Sequence, residues 1–222
     1  MDTWQTKPTD RFVLKWIKIH LSARVTPNLV HFEWLRPWMI TLFSAILGFF
    51  AGVVFALGLG WLAGCMAAAA QVLDGVDGQL ARLTGRQSRG GAFWDSVLDR
   101  YADGSMVIGM AIYLARIPNL MPIWLLALLA ALALIGSNLI SYSSARAETL
   151  GLDLGKPTLA SKGTRTSVMI LCAWGSLFWR YFPVAALVYL VVHPNLAVIA
   201  RLIRTAPDDG LMERDPESRK IQ

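Results

Sequence analysis

Six predominantly apolar runs alternate with short polar, basic connections along this chain, at 37–58, 61–83, 92–115, 121–145, 166–179 and 181–203. Most approach the roughly 20 residues that cross a bilayer's hydrocarbon as helix. The pattern predicts an all-α integral membrane protein with six transmembrane helices. Ahead of them, residues 9–26 read TDRFVLKWIKIHLSARVT. Thr9-Asp10 is a helix-start signal, and Phe12, Trp16, Ile19 and Ala23 can share one stripe with Lys15 and Lys18 elsewhere. That predicts an N-terminal amphipathic helix, either lying in the membrane interface or packed on the domain. Pro27 and Pro37 punctuate the approach to the first span, and Gly48 and Gly52 inside it form a G-x-x-x-G pair that permits close helix packing. Residues 206–222 are charged and poor in apolar side chains, as in a disordered tail. Three parts follow: an N-terminal segment (1–35), a six-span domain (36–205) and a tail (206–222).

Composition agrees with the pattern. Of 222 residues, 55% are hydrophobic and 16% charged, too apolar for an ordinary soluble domain. Cys65 and Cys172 lie inside apolar runs without metal-ligand spacing and read as small packing residues. Charge adds orientation. All of the 21 Lys and Arg except Arg100, Arg116 and Arg180 flank the same side of the predicted spans. The positive-inside rule therefore puts both termini and the connection between spans two and three at the cytoplasmic face of a cell inner or plasma membrane. Positives at membrane-flanking positions argue against nucleic acid as the partner.

The acidic residues change the picture most. DGVDGQLARLTGRQSRGGAFWDSVLD, residues 74–99, contains Asp74 and Asp77 at i, i+3 and Asp95 and Asp99 at i, i+4. On helices each pair occupies one face, a turn apart. Antiparallel spans put Asp77 about 9 Å before one helix end and Asp95 about 5 Å after the next helix start, at a similar depth. Four carboxylates amid apolar sequence require positive charge among them. Divalent cations, which prefer carboxylate oxygens, meet that need. Two such ions could hold a pyrophosphate and polarise an attacked phosphorus. Gly78 allows close backbone approach, and Arg82, one turn on, can pair with a phosphate bidentately. An ion-transport path and an intramembrane prenyltransferase, which also binds pyrophosphate through metal, are the alternatives.

The full spacing, D-x2-D-G-x2-A-R-x8-G-x3-D-x3-D from Asp74 to Asp99, resembles the signature of the CDP-alcohol phosphotransferase (phosphatidyltransferase) family. Arg36-Pro37-Trp38-Met39-Ile40-Thr41 resembles that family's Pro-Asn-x-x-Thr start of the first span, with Trp38 in the Asn position. The resemblance implies two divalent metals, Mg2+ or Mn2+, on Asp74, Asp77, Asp95 and Asp99. It makes Asp99 also the general base, and puts Thr41, Asp74, Gly78, Arg82 and Gly91 at the CDP group. Asp103, another i+4 step along, is outside the signature. The K-P-T-D segment with DRYAD (99–103), and SYSSARAETLG (141–151) before a basic loop, look like synthases that join inositol phosphates and like phosphatidylinositol-phosphate synthases. That implies a polar, phosphorylated acceptor near Arg146, Lys156, Lys162 and Arg165. The implied donor is a CDP-linked lipid, CDP-diacylglycerol, or alternatively a soluble CDP-alcohol of the CDP-inositol type. The implied assembly is a homodimer.

Overall fold

The computed structural model describes residues 4–6, 12–154 and 161–206. The elements are helical: α1 (Phe12–Ile17), a wide π turn (Lys18–Ser22), α2 (Ala23–Val30), α3 (Pro37–Ala56), α4 (Gly60–Leu83), α5 (Arg89–Ala115), α6 (Ile123–Leu150), α7 (Lys162–Gly175) and α8 (Pro183–Arg204). The six apolar runs thus correspond to α3–α8. Three of these, α3, α6 and α8, are long and apolar enough to cross a membrane. Among the others, α4 and α5 carry the acids and α7 has 14 residues. The long helices turn large apolar side chains outward: Phe43, Ile46 and Phe50 on α3, Leu128 and Ile135 on α6, Val188, Leu196 and Ile199 on α8. Such a surface suits hydrocarbon and would be an aggregation liability in water.

The helices meet through small residues. α3 lies against α4 and α5 because Gly48 and Gly52 leave no side chain in the way. A Cβ on Gly48 would sit 2.9 Å from Ala102 Cβ, and one on Gly52 would overlap the Ser105 carbonyl. Without an apolar driving force between helices in lipid, such backbone approach supplies the packing. Ser44 Oγ on α3 adds a hydrogen bond to the Ala70 carbonyl of α4 (2.9 Å). α6 and α8 pair through Gly136 and Asn195, whose Nδ2 donates to the Leu132 carbonyl at 3.1 Å. The largest apolar core gathers Phe55, Met110, Leu114, Leu187 and Leu190, all fully buried, away from the acidic ends of α4 and α5.

One expectation needs correction. The connection between the spans expected at 121–145 and 166–179 is shorter: α6 runs to Leu150, ending on left-handed Gly151, and α7 starts at Lys162, so that Lys162 and Arg165 are helical. Cations disfavour a helix's first turn; here carboxylates on α4 and α5 face them and reverse that preference. The N-terminal helix packs on the domain through a face other than its apolar stripe, which an interfacial position would leave outward. Trp16 is exposed, whereas Ile17, Lys18, Ser22 and Thr26 are buried. The polar face turns inward because polar partners await it on α4. Ser22 Oγ donates to the Val72 carbonyl at 2.8 Å, directly over Gly75. The π turn contributes: Ala23 N–H reaches back to the Lys18 carbonyl, which also accepts from Gln79 Nε2 at 2.9 Å. At its other end Leu14 packs on Gly163 of α7. The predicted cap at Thr9-Asp10 and nearly all of the predicted tail lie outside the described residues.

Candidate active site

α4 and α5 are antiparallel neighbours joined by a short turn, and α3 packs against both. Arg86 pins that turn, its Nη1 donating to the Glu33 and Leu35 carbonyls at 3.2 and 3.3 Å. Ser88 caps α5, its Oγ accepting from Gly91 N–H at 3.0 Å. With both ends fixed, Asp74 on α4 and Asp95 and Asp99 on α5 bring carboxylate oxygens within 4.8 Å of one another. Asp77, 6% exposed, accepts from Thr41 Oγ1 of α3 and from Gly78 N–H, each at 2.5 Å. The two acidic pairs therefore meet in one place, as their spacing predicts.

Two cavities flank the acids. The larger, ≈ 380 Å³, is lined by residues that include Thr41, Asp77, Gly78, Arg82, Gly91 and Asp95. It thus gathers every residue expected at a CDP group except Asp74. Trp38 lines it too, so the indole in place of Asn forms part of its wall. Arg82 folds back over Gly78: a Cβ there would stand 3.4 Å from Nη1. Its Nε donates to the Trp4 carbonyl at 2.7 Å. The smaller cavity, ≈ 40 Å³, lies on the inner side, where Asp74 and Asp99 meet Asp103, Lys162, Ser44, Gln71 and Thr166.

Cations are concentrated on that inner side. Lys162 Nζ bridges Asp74 Oδ1, at 2.7 Å, and Asp99 Oδ1. Arg165, 1% exposed, pairs with Asp103 Oδ2 at 3.4 Å. Arg100 stands 3.8 Å from Asp99 Oδ2 and 3.9 Å from Asp103 Oδ2. Asp103 thus extends the acidic face into a partly buried charge network, with Thr166 Oγ1 donating to it at 3.5 Å. Of the four residues expected at an acceptor, Lys162 and Arg165 come to the site. Arg146 is exposed on α6 and lines neither cavity, and Lys156 lies outside the described residues. Sequence reasoning missed Gln71, whose Nε2 ties α4 to the Gly163 carbonyl (3.1 Å) and Ser167 Oγ (3.3 Å) of α7. A glutamine three residues before Asp74 in an apolar run was the available signal.

The donor set fits a divalent cation: converging carboxylate oxygens from two rigid helices, with no soft ligand among them. Asp74, Asp95 and Asp99 are the residues that would hold it, with Asp77 adjacent.

A family model described as CDP-alcohol phosphatidyltransferase matches residues 34–203, and the chain belongs to that family. Among its relatives, a bifunctional IPC transferase and DIPP synthase of Thermococcus kodakarensis is 39% identical over 137 residues, 62% of this chain and 30% of that protein. The chain thus spans under a third of that relative's length. A phosphatidylinositol phosphate synthase of Cutibacterium acnes is 30% identical over 192 residues, 82% of this chain and 86% of that one. The fold is shared with a Mycobacterium tuberculosis phosphatidylinositol phosphate synthase solved with CDP-DAG bound. The TM-score is 0.74 at 23% identity, over 88% of this chain and 98% of that one.

Proposed function

We propose that this protein transfers a phosphatidyl group from CDP-diacylglycerol to the hydroxyl of a phosphorylated polar alcohol of the inositol-phosphate type, releasing CMP. The reading is carried by one observation: the acidic cluster separates a cavity lined by the expected CDP contacts from a small cation-rich one. The CDP group takes the larger cavity, with Arg82 on its phosphates and Thr41, Gly78 and Gly91 around it. The acceptor comes from the inner side, its phosphate drawn by Lys162 and Arg165, with Arg146 and Lys156 farther out. Its hydroxyl gives a proton to Asp99 and attacks the phosphorus nearest the lipid. The P–O bond to the cytidylate then breaks, and CMP leaves with the electron pair. Two divalent ions, Mg2+ or Mn2+, on Asp74, Asp77, Asp95 and Asp99 would neutralise phosphate charge when bound.

In this reading α3–α8 cross the membrane with the cluster and both termini cytoplasmic, the N-terminal helix lies in the interface, and the protein works as a homodimer. A soluble CDP-alcohol donor is the second reading, favoured by the likeness to the bifunctional IPC transferase and DIPP synthases. The test offers purified protein CDP-diacylglycerol or CDP-inositol, with serine, glycerol phosphate, inositol and inositol phosphate as acceptors. CMP release from the lipid donor, selective for a phosphorylated acceptor, is expected. Release only from CDP-inositol would transfer the assignment to the soluble donor.

A further inference from the structure

Gln79 occupies a position that the family signature leaves unspecified, between Gly78 and Arg82 on α4, and none of its surface is exposed. Its amide is committed to the N-terminal segment. Nε2 donates to the Gln5 and Lys18 carbonyls, each at 2.9 Å, and Oε1 accepts from Thr26 Oγ1 at 2.6 Å. Three residues on, Arg82 Nε donates to the carbonyl of Trp4, the residue next to Gln5. Positions 79 and 82 are neighbours on one helix face, so a single stretch of backbone is fastened to one and fastens the other. A guanidinium is a planar fork of five donors. Holding it by Nε fixes its plane, while Nη1 and Nη2 lie over Gly78 at the cavity.

We propose that the N-terminal segment is a working part of the donor site. Gln79 and Thr26 anchor it, and the Trp4 carbonyl orients Arg82 toward the donor's phosphates. Gln79 and Thr26 are positioning residues that act through Arg82; they do not touch the reacting atoms. The inference rests on assigning the larger cavity to a CDP-linked donor. Its physical content is preorganisation: an arginine already held in its binding orientation loses less freedom when a phosphate arrives.

The test uses the full-length protein in nanodiscs and measures the Kd and KM for CDP-diacylglycerol, kcat at saturating donor, and the melting temperature. Gln79→Leu removes the amide at similar volume. Thr26→Val isosterically removes the hydroxyl with its contacts to Gln79 Oε1 and the Ser22 carbonyl, and Thr26→Ser keeps it. Gln79→Leu and Thr26→Val are expected to raise both Kd and KM about tenfold, with kcat changing about twofold at most, and Thr26→Ser to restore them. A folded Thr26→Val protein with wild-type Kd and KM would overturn the inference, even with a lowered melting temperature, because that is what a merely structural contact gives. Should Gln79→Leu fail to fold, the threonine pair still decides. Wild-type protein that binds no CDP-diacylglycerol would overturn the functional reading itself. A normal wild-type Kd shared by the variants would overturn only the role of the N-terminal segment.

Discussion

Replacing Gly78 by alanine adds one methyl group to the wall of the ≈ 380 Å³ cavity, and its effects on folding and on binding should have opposite signs. Gly78 lies inside α4, more than one turn from its C-terminal end. Alanine is the better helix former there by about 1 kcal/mol. The added Cβ would meet only Arg82 Nη1 at 3.4 Å and Nη2 at 3.9 Å, side-chain atoms at ordinary van der Waals separation. No backbone has to move, so the variant should be more stable than wild type by up to about 1 kcal/mol. Binding should suffer, because the methyl stands between the guanidinium and any phosphate that closes on this backbone. Losing one charge-assisted hydrogen bond costs about 1.5–3 kcal/mol, or about 10- to 150-fold in donor Kd. Denaturant unfolding, read beside titration with CDP-diacylglycerol, separates the two. A stabilised variant with unchanged donor affinity would refute the placement of the donor phosphates at Gly78 and Arg82.

Other substitutions probe the remaining parts. Asp99→Asn should abolish CMP release in a protein that still folds; undiminished release would remove Asp99 as the base. Lys162→Met leaves Asp74 and Asp99 without the ammonium that bridges them. It should destabilise the metal-free protein by about 3 kcal/mol and make its melting temperature depend more steeply on added Mn2+ than the wild type's. A metal response equal to wild type would show that the lysine and the cation do not share those carboxylates. Gly52→Leu drives a side chain into the Ser105 backbone of α5 and should cost at least the 1–3 kcal/mol typical of overpacking. Wild-type stability in unfolding assays would contradict the close α3–α5 approach.

The sequence made the acidic centre legible because four carboxylates in an apolar setting have few physical explanations, and their i, i+3 and i, i+4 spacing fixes a shared face. Helix positions were legible for a similar reason: long apolar runs leave little freedom, and Pro37 marks where the first begins, although α6 continues past the expected 145 to Leu150. What stayed hidden depends on partners distant in the chain. Lys162 reads as a loop cation until Asp74 and Asp99 are seen opposite it. The inward face of the N-terminal helix carries the polar residues Lys18, Ser22 and Thr26, and their burial makes sense once groups on α4, Gln79 and the Val72 carbonyl among them, are seen against it. Gln79 itself gave no local signal, since a glutamine in the last two turns of α4 is equally at home facing water. Periodicity reports apolar burial well and polar burial poorly, because a polar pair declares itself only when both members are in place.

The claim that the acidic cluster performs metal-dependent transfer is tested most directly by CMP release from CDP-diacylglycerol and inositol phosphate, measured with and without EDTA. The account predicts release that vanishes on chelation and returns with Mg2+ or Mn2+. Release that persists unchanged in excess EDTA, or no release from any CDP-linked donor, lipid or soluble, would contradict it.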